Sequence, residues 1–285
     1  MKLSRAYHLI CLVVVISLSV MLPAYAATPS AYHLIKLKGY VFGINNNNVA
    51  VGEYLGSDQV AHGFIKTPDG TVTTLDAPNG IATYASGINL AGTVVGYYQD
   101  SATFIHGFIY QNGTLSDFGP PGSSQSFAYG INDAGKIVGT FLDTDGLWKG
   151  YLFDGTTYQT LQVSGASSTA AHGINNSGMV TVQWCCDLRE NSHSSLFDGT
   201  NYTSIDIPGE ATTYAYSIDS AGDVVFQALN FSGREHGALL TGGKYYRVEP
   251  PSGCHDDGAF GINDHRTIVG YCHVNNTQNV YYVTY

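Results

Sequence analysis

Four histidines recur near one phase of this sequence: His62, His106, His193 and His236. A ring of imidazoles would be zinc chemistry if the nitrogens could come within ~2 Å of one ion. Cys254-His255-Asp256-Asp257 and Cys272-His273 form a second group, with ligand types for a metal and thiols for a disulfide. Glu235-His236, Glu190-His193 and His255-Asp257 each put a carboxylate near an imidazole, the pairing that general acid–base catalysis uses. Asp143-Thr144-Asp145-Gly146 is half of a calcium loop and reads more simply as a turn. The chain has no Gly-x-Ser-x-Gly elbow, His-Glu-x-x-His pair, phosphate loop or dinucleotide fingerprint. No catalytic residue, resident metal or cofactor is therefore assigned.

Whether these groups meet depends on the elements that carry them, and a repeat sets those. Gly43-Ile44-Asn45 returns as Gly87-Ile88-Asn89, Gly130-Ile131-Asn132, Gly173-Ile174-Asn175, Ser217-Ile218-Asp219 and Gly261-Ile262-Asn263, at steps of 44, 43, 43, 44 and 44 residues. In the third unit, Phe127 to Asn132 predicts a strand A and Asn132 to Gly135 a tight turn. Lys136 to Leu142 follows as strand B, Gly150 to Phe153 as strand C and Tyr158 to Val163 as strand D. A four-stranded sheet that is apolar on both faces needs a neighbour on each side, which radial stacking supplies. The expected fold is all-β, a single six-bladed β-propeller over residues 27–285. His33 to Lys38 resembles a strand D, and the last unit stops after its third strand. The N-terminal strand is therefore expected to complete the last blade and close the ring.

This geometry sorts the candidate groups. The histidines open strand C, two strands out from the axis; with strands ~4.8 Å apart they lie roughly 15 Å from the centre and cannot share an ion. Each is expected to order its own loop. The Asn of each repeat start should bond backbone two residues on, with Asn48, Gly92, Gly135, Gly178 and Gly222 left-handed after it. Arg266 in the sixth turn has no such preference and costs about 1 kcal/mol there. Cys254 and Cys272 fall on the same face of the ring. They predict a disulfide worth roughly 3 kcal/mol, with a Cys2His2 metal site as the other reading. An oxidising compartment favours the disulfide.

Equivalent positions of a ring face one axis. Four residues before each repeat start stand Gly39, Thr83, Ser126, Thr169, Thr213 and Asp257. Three before stand Tyr40, Tyr84, Phe127 and Tyr214, with Ala170 and Gly258 in the remaining blades. Hydroxyls and aromatic faces around a channel mouth, with Asp257 and the nearby His255, suit a neutral ligand: a glycan, a peptide or an extracellular protein. The competing structural reading is that the aromatics wedge between blades and the hydroxyls cap loops. A hydrolase or lyase working through a carboxylate–His pair, and a purely structural surface protein, are the alternative functions.

Gly-Ile-Asn-Asp-x-Gly-x-Ile-Val-Gly followed by His-Gly-Phe resembles the extracellular repeat family named for its His-Ala-Phe (HAF) motif. Here the motif reads His62-Gly63-Phe64 and His106-Gly107-Phe108. It decays through Lys149-Gly150-Tyr151, His193-Ser194-Ser195 and His236-Gly237-Ala238 to Asn279-Val280-Tyr281. The resemblance spans nearly the whole mature chain and implies secretion and a repeat fold, but no reaction. Some family members end in a membrane-sorting tail, and Tyr281 to Tyr285 does not resemble one.

The N-terminal residues agree with export. Lys2 and Arg5 precede an apolar run, Leu9 to Val20, and Ala24-Tyr25-Ala26 has the pattern cut by signal peptidase. Residues 1–26 are therefore expected to be a secretory leader of bacterial type, delivering a monomer to the periplasm or the medium. The run is too short to span a bilayer comfortably, so no membrane insertion is expected. The 12 basic and 22 acidic residues give a net charge of −10, which becomes about −12 without the leader and argues against nucleic acid as a partner.

Overall fold

The computed structural model describes residues 29–35, 38–185, 191–275 and 277–285, without the side chains of residues 32–35 and of His255. The expected leader, Cys186 and Glu190 lie outside the described residues.

The described residues form 24 strands. β1 is Ala31–Ile35. Blade one follows with β2 (Gly39–Ile44), β3 (Ala50–Leu55), β4 (Ala61–Lys66) and β5 (Val72–Leu75). Blade two has β6 (Gly80–Ile88), β7 (Val94–Asp100), β8 (Ile105–Gln111) and β9 (Thr114–Asp117); blade three has β10 (Ser126–Ile131), β11 (Ile137–Leu142), β12 (Trp148–Phe153) and β13 (Tyr158–Leu161). Blade four comprises β14 (Ser168–Ile174), β15 (Val180–Cys185), β16 (Ser192–Phe197) and β17 (Tyr202–Ser204). Blade five comprises β18 (Thr212–Ile218), β19 (Val224–Leu229), β20 (Glu235–Thr241) and β21 (Lys244–Arg247). β22 (His255–Ile262), β23 (Thr267–Val274) and β24 (Thr277–Thr284) belong to the sixth sheet. The protein is a six-bladed β-propeller of four-stranded antiparallel sheets. β1 runs antiparallel to β24, Ala31 opposite Thr284 and Ile35 opposite Val280, two residues earlier in the chain than the strand expected at His33. Among the described residues no helix is long and apolar enough to cross a membrane.

The repeat start has a packing cause. A Cβ on Gly43 would lie 2.8 Å from the carbonyl oxygen of Ser86, and one on Gly130 would lie 2.4 Å from that of His172. Neighbouring blades touch backbone to backbone there, so the position takes glycine for closeness rather than for a special dihedral. Beside it, a β-bulge interrupts the register of the first two strands in every blade, as between Ala128 and Gly130.

The decay of the His-Gly-Phe motif is compensated across strands. Phe64, Phe108, Tyr151 and Tyr281 lie opposite Gly52, Gly96, Gly139 and Gly270 and fill the space that a second-strand side chain would take. In blades four and five the pair is inverted: Val182 faces Ser195 and Phe226 faces Ala238. Total volume is kept, which a close-packed core tolerates.

The turn asparagines do more than expected. Their Oδ1 atoms accept local backbone bonds, for example Asn45 from Asn47 and Val49. Their Nδ2 atoms also donate to the carbonyl of the equivalent residue in the next blade: Asn45 to Asn89, Asn89 to Asn132, Asn132 to Asn175, Asn175 to Asp219 and Asn263 to Asn45, all at 3.0–3.3 Å. Asp219 has no such donor, and burial, with Asp223 nearby, raises its carboxyl pKa. Asp219→Asn would supply a bond to the Asn263 carbonyl and remove a buried acid, a gain of about 1 kcal/mol. The melting temperature should rise by a few degrees; an unchanged or lower value would show that this carbonyl is already satisfied.

Asn48, Gly92, Gly135, Gly178, Gly222 and Arg266 all have positive φ, as the turn requires. Arg266 is anchored by its side chain. Its guanidinium lies 2.8 Å from the buried carboxylate of Asp223 and donates to Thr241 Oγ1, which offsets the backbone cost.

Candidate functional site

Each histidine of the third strand pairs with acidic groups of its own blade or of an adjoining loop. His62 bonds Asp76 and Asp58, His106 bonds Asp100 and His193 bonds Asp206. Lys149 takes the same place in blade three, held by Asp143 and Asp145, so the half calcium motif there is a lysine clamp. His236 lies 3.5 Å from Glu210, and its pKa falls to about 4 through burial and the charges of Arg247 and Arg234. Among the described residues no group of three His, Cys, Asp or Glu side chains gathers to hold a metal. Cys254 and Cys272 form a disulfide, with Cα atoms 5.4 Å apart. Cys185 is also disulfide-bonded.

The hydroxyl ring expected at the channel mouth is not there. Thr83, Ser126, Thr169 and Thr213 are buried between blades. Their hydroxyls accept from the amides of Ala77, Gly107, Val163 and Ile207, all in the preceding blade or the loop that leaves it. Asp257 does the same for Gly237 and is further held by Arg247 Nη2 at 2.9 Å. Strand alternation explains the correction: the position four before the repeat start points into the inter-blade seam, and its neighbours on either side point to the axis. The carboxylate–His pairs are likewise dispersed. Glu235 accepts from Tyr271, His236 faces Glu210, and Asp257 faces Arg247.

The aromatics three before the repeat start are half-buried on the axis-facing side. Tyr84 stacks on Tyr97, Phe127 on Tyr129 and Tyr40 on Phe42, while Tyr214 meets Tyr216. Their partners expose what sequence reasoning missed. The bulged residue just before each repeat start, Phe42, Ser86, Tyr129, His172, Tyr216 or Phe260, lines the axis. With Tyr97 these residues surround a cavity of about 250 Å³. Its signal was available: residues one and three before the start share a face of the strand. His172 is uncharged at neutral pH, its pKa lowered to about 4 by burial, and its Nε2 lies 3.0 Å from Gln183 Oε1.

A second cavity of about 310 Å³ opens between blades three and four. It exists because Ala170 stands where Tyr40, Tyr84, Phe127 and Tyr214 stand in other blades. Both tryptophans of the chain line it, Trp148 from the start of β12 and Trp184 from the end of β15, along with Phe127, Tyr129, Thr140 and Gln183. Trp184 is fixed in place: its Nε1 donates to Ser195 Oγ, and its ring stacks 4.5 Å from His193, which Asp206 holds in turn. Trp148 packs on Phe127 at 5.6 Å. Among the described residues no charged side chain lines this cleft. Of the residues expected to bind ligand, Phe127 and Thr169 reach it.

No family model matches the chain, and no curated protein matches it in sequence. Similar solved structures include TolB from Acinetobacter baumannii, at 10% identity and a TM-score of 0.55, covering 87% of this chain and 63% of that one. A triple arginine-to-alanine mutant of AofleA from Arthrobotrys oligospora is 10% identical with a TM-score of 0.52, covering 88% and 86%. The Aleuria aurantia lectin, a six-bladed propeller described with a fucose recognition mode, is 14% identical with a TM-score of 0.49, covering 75% and 79%. At these identities the likeness is one of fold.

Proposed function

We propose that this chain is an extracellular, non-catalytic propeller that binds a neutral carbohydrate in the cleft between blades three and four. The observation that carries this reading is the convergence of both tryptophans on one cleft that has no charged side chain among its described residues, with Gln183 and Thr140 as polar groups at its wall. Aromatic faces cover the apolar face of a sugar ring while a few polar groups fix its hydroxyls, and the volume is at the small end of ligand sites. A net charge of −10, with no cation among the described residues of the cleft, disfavours acidic sugars. The Cys254–Cys272 disulfide supports an oxidising compartment, in keeping with the leader expected at residues 1–26 and the resemblance to HAF repeats.

The two tryptophans make a clean probe, because a ligand in the cleft perturbs both and the chain has no others. Titration with neutral mono- and oligosaccharides should change the intrinsic fluorescence. Trp184→Ala should weaken binding by about 2 kcal/mol, roughly thirtyfold, as loss of a central aromatic contact does. A fluorescence response to short peptides but to no neutral sugar would refute the reading.

A further inference from the structure

The two cavities are neighbours. Tyr129 and His172 line both, stacked at 4.6 Å, and Ala170, two residues before His172 on the same strand face, leaves open the space that an aromatic would fill above it. On one side of that pair lies the tryptophan cleft, amphipathic and edged with amide and hydroxyl groups. On the other lies the axial cavity, walled by Phe42, Tyr97, Tyr216 and Phe260, with no charged side chain among the described residues.

Resting on the carbohydrate reading, we infer that the two cavities form one amphipathic site whose ligand is a neutral glycoside with an aromatic aglycone. The sugar occupies the cleft, and the aglycone enters the axial cavity past His172. Size permits this: an apolar cavity of ~150 Å³ accepts benzene, and the axial cavity measures about 250 Å³. Charge permits it as well, since His172 is neutral at physiological pH and does not oppose an apolar group. The asymmetry of the ring also fits. Ser86 is the one small side chain among the six axis-lining positions, so the cavity has room beside Tyr97 that six aromatics would close.

The test is calorimetric titration of the full chain with methyl and phenyl glycosides of the same neutral sugars, both anomers, at pH 7.5. The phenyl glycoside of whichever sugar binds should be at least tenfold tighter, from burial of the ring at roughly 25 cal/mol per Å². Ser86→Phe places in blade two the side chain that blades one and six already carry there, so the fold accommodates it. It should fill the axial cavity and bring the phenyl-to-methyl ratio close to one. Equal affinity of the two glycosides for the wild type would overturn the inference while leaving the carbohydrate reading intact. A phenyl advantage that survives Ser86→Phe would also overturn it, by placing the aglycone elsewhere. Absence of binding by either glycoside would overturn both.

Discussion

Replacing Arg247 with Met is expected to cost about 4 kcal/mol at pH 7 and almost nothing near pH 4. Asp257 has no exposed surface, and its carboxylate is held by the Gly237 amide and by Arg247 Nη2 at 2.9 Å. Burial raises its pKa, and the amide and the arginine oppose that rise. Without the guanidinium, the cheapest folded state carries a protonated Asp257. Taking up that proton costs about 1.4 kcal/mol for each pH unit above the ordinary value of 3.8, which bounds the loss and makes it shrink as pH falls. Urea midpoints at pH 7, 5.5 and 4 measure this directly. Asp257→Asn in the Arg247→Met background should recover most of the loss at pH 7, since the amide oxygen still accepts from Gly237. A loss independent of pH would mean that Arg247 contributes through its aliphatic stem.

Glu53→Gln should act in the opposite sense. Glu53 sits on β3 at the position that Tyr97 holds in blade two, opposite Tyr40, and acts through space on Tyr84 and Tyr97. Burial pushes its pKa from 4.5 up to about 7. Between those values the folded state binds more protons than the unfolded one, so wild-type stability is full below pH 4.5 and is lost as pH rises through 7. The loss on that account is roughly 3 kcal/mol. The neutral amide escapes it, so the variant's advantage should be absent at pH 4, grow through the window and level off above pH 8. Melting temperatures of both proteins across that range test it, at about 2–4 °C per kcal/mol for a chain of this size. A constant difference at all pH values would contradict the assignment.

Much of this molecule was legible in its sequence because its information is local and repeated six times. The spacing of Gly-Ile-Asn specified the number of blades. The alternation within Lys136 to Leu142 specified a sheet buried on both faces, and the left-handed turn residues could be placed one by one. The Cys254–Cys272 pair followed from the face its two loops share. The candidate cleft was legible only in part. Phe127 does line it, but the threonines and Asp257 were placed on the axis when they belong to the seams, an error of one position in a strand of period two. Gly43 and its equivalents, Arg266 and the inverted Val182–Ser195 pair looked arbitrary because their partners sit one strand or one blade away.

The sequence by itself determined the architecture, since each blade's strands, turns and apolar faces are encoded within about 44 residues and repetition removes ambiguity. Only the tertiary structure decided where an open cleft lies. A cleft is the absence of a side chain, and Ala170 becomes an opening only when Trp148 from one blade and Trp184 from the next are brought to its rim by the closing of the ring.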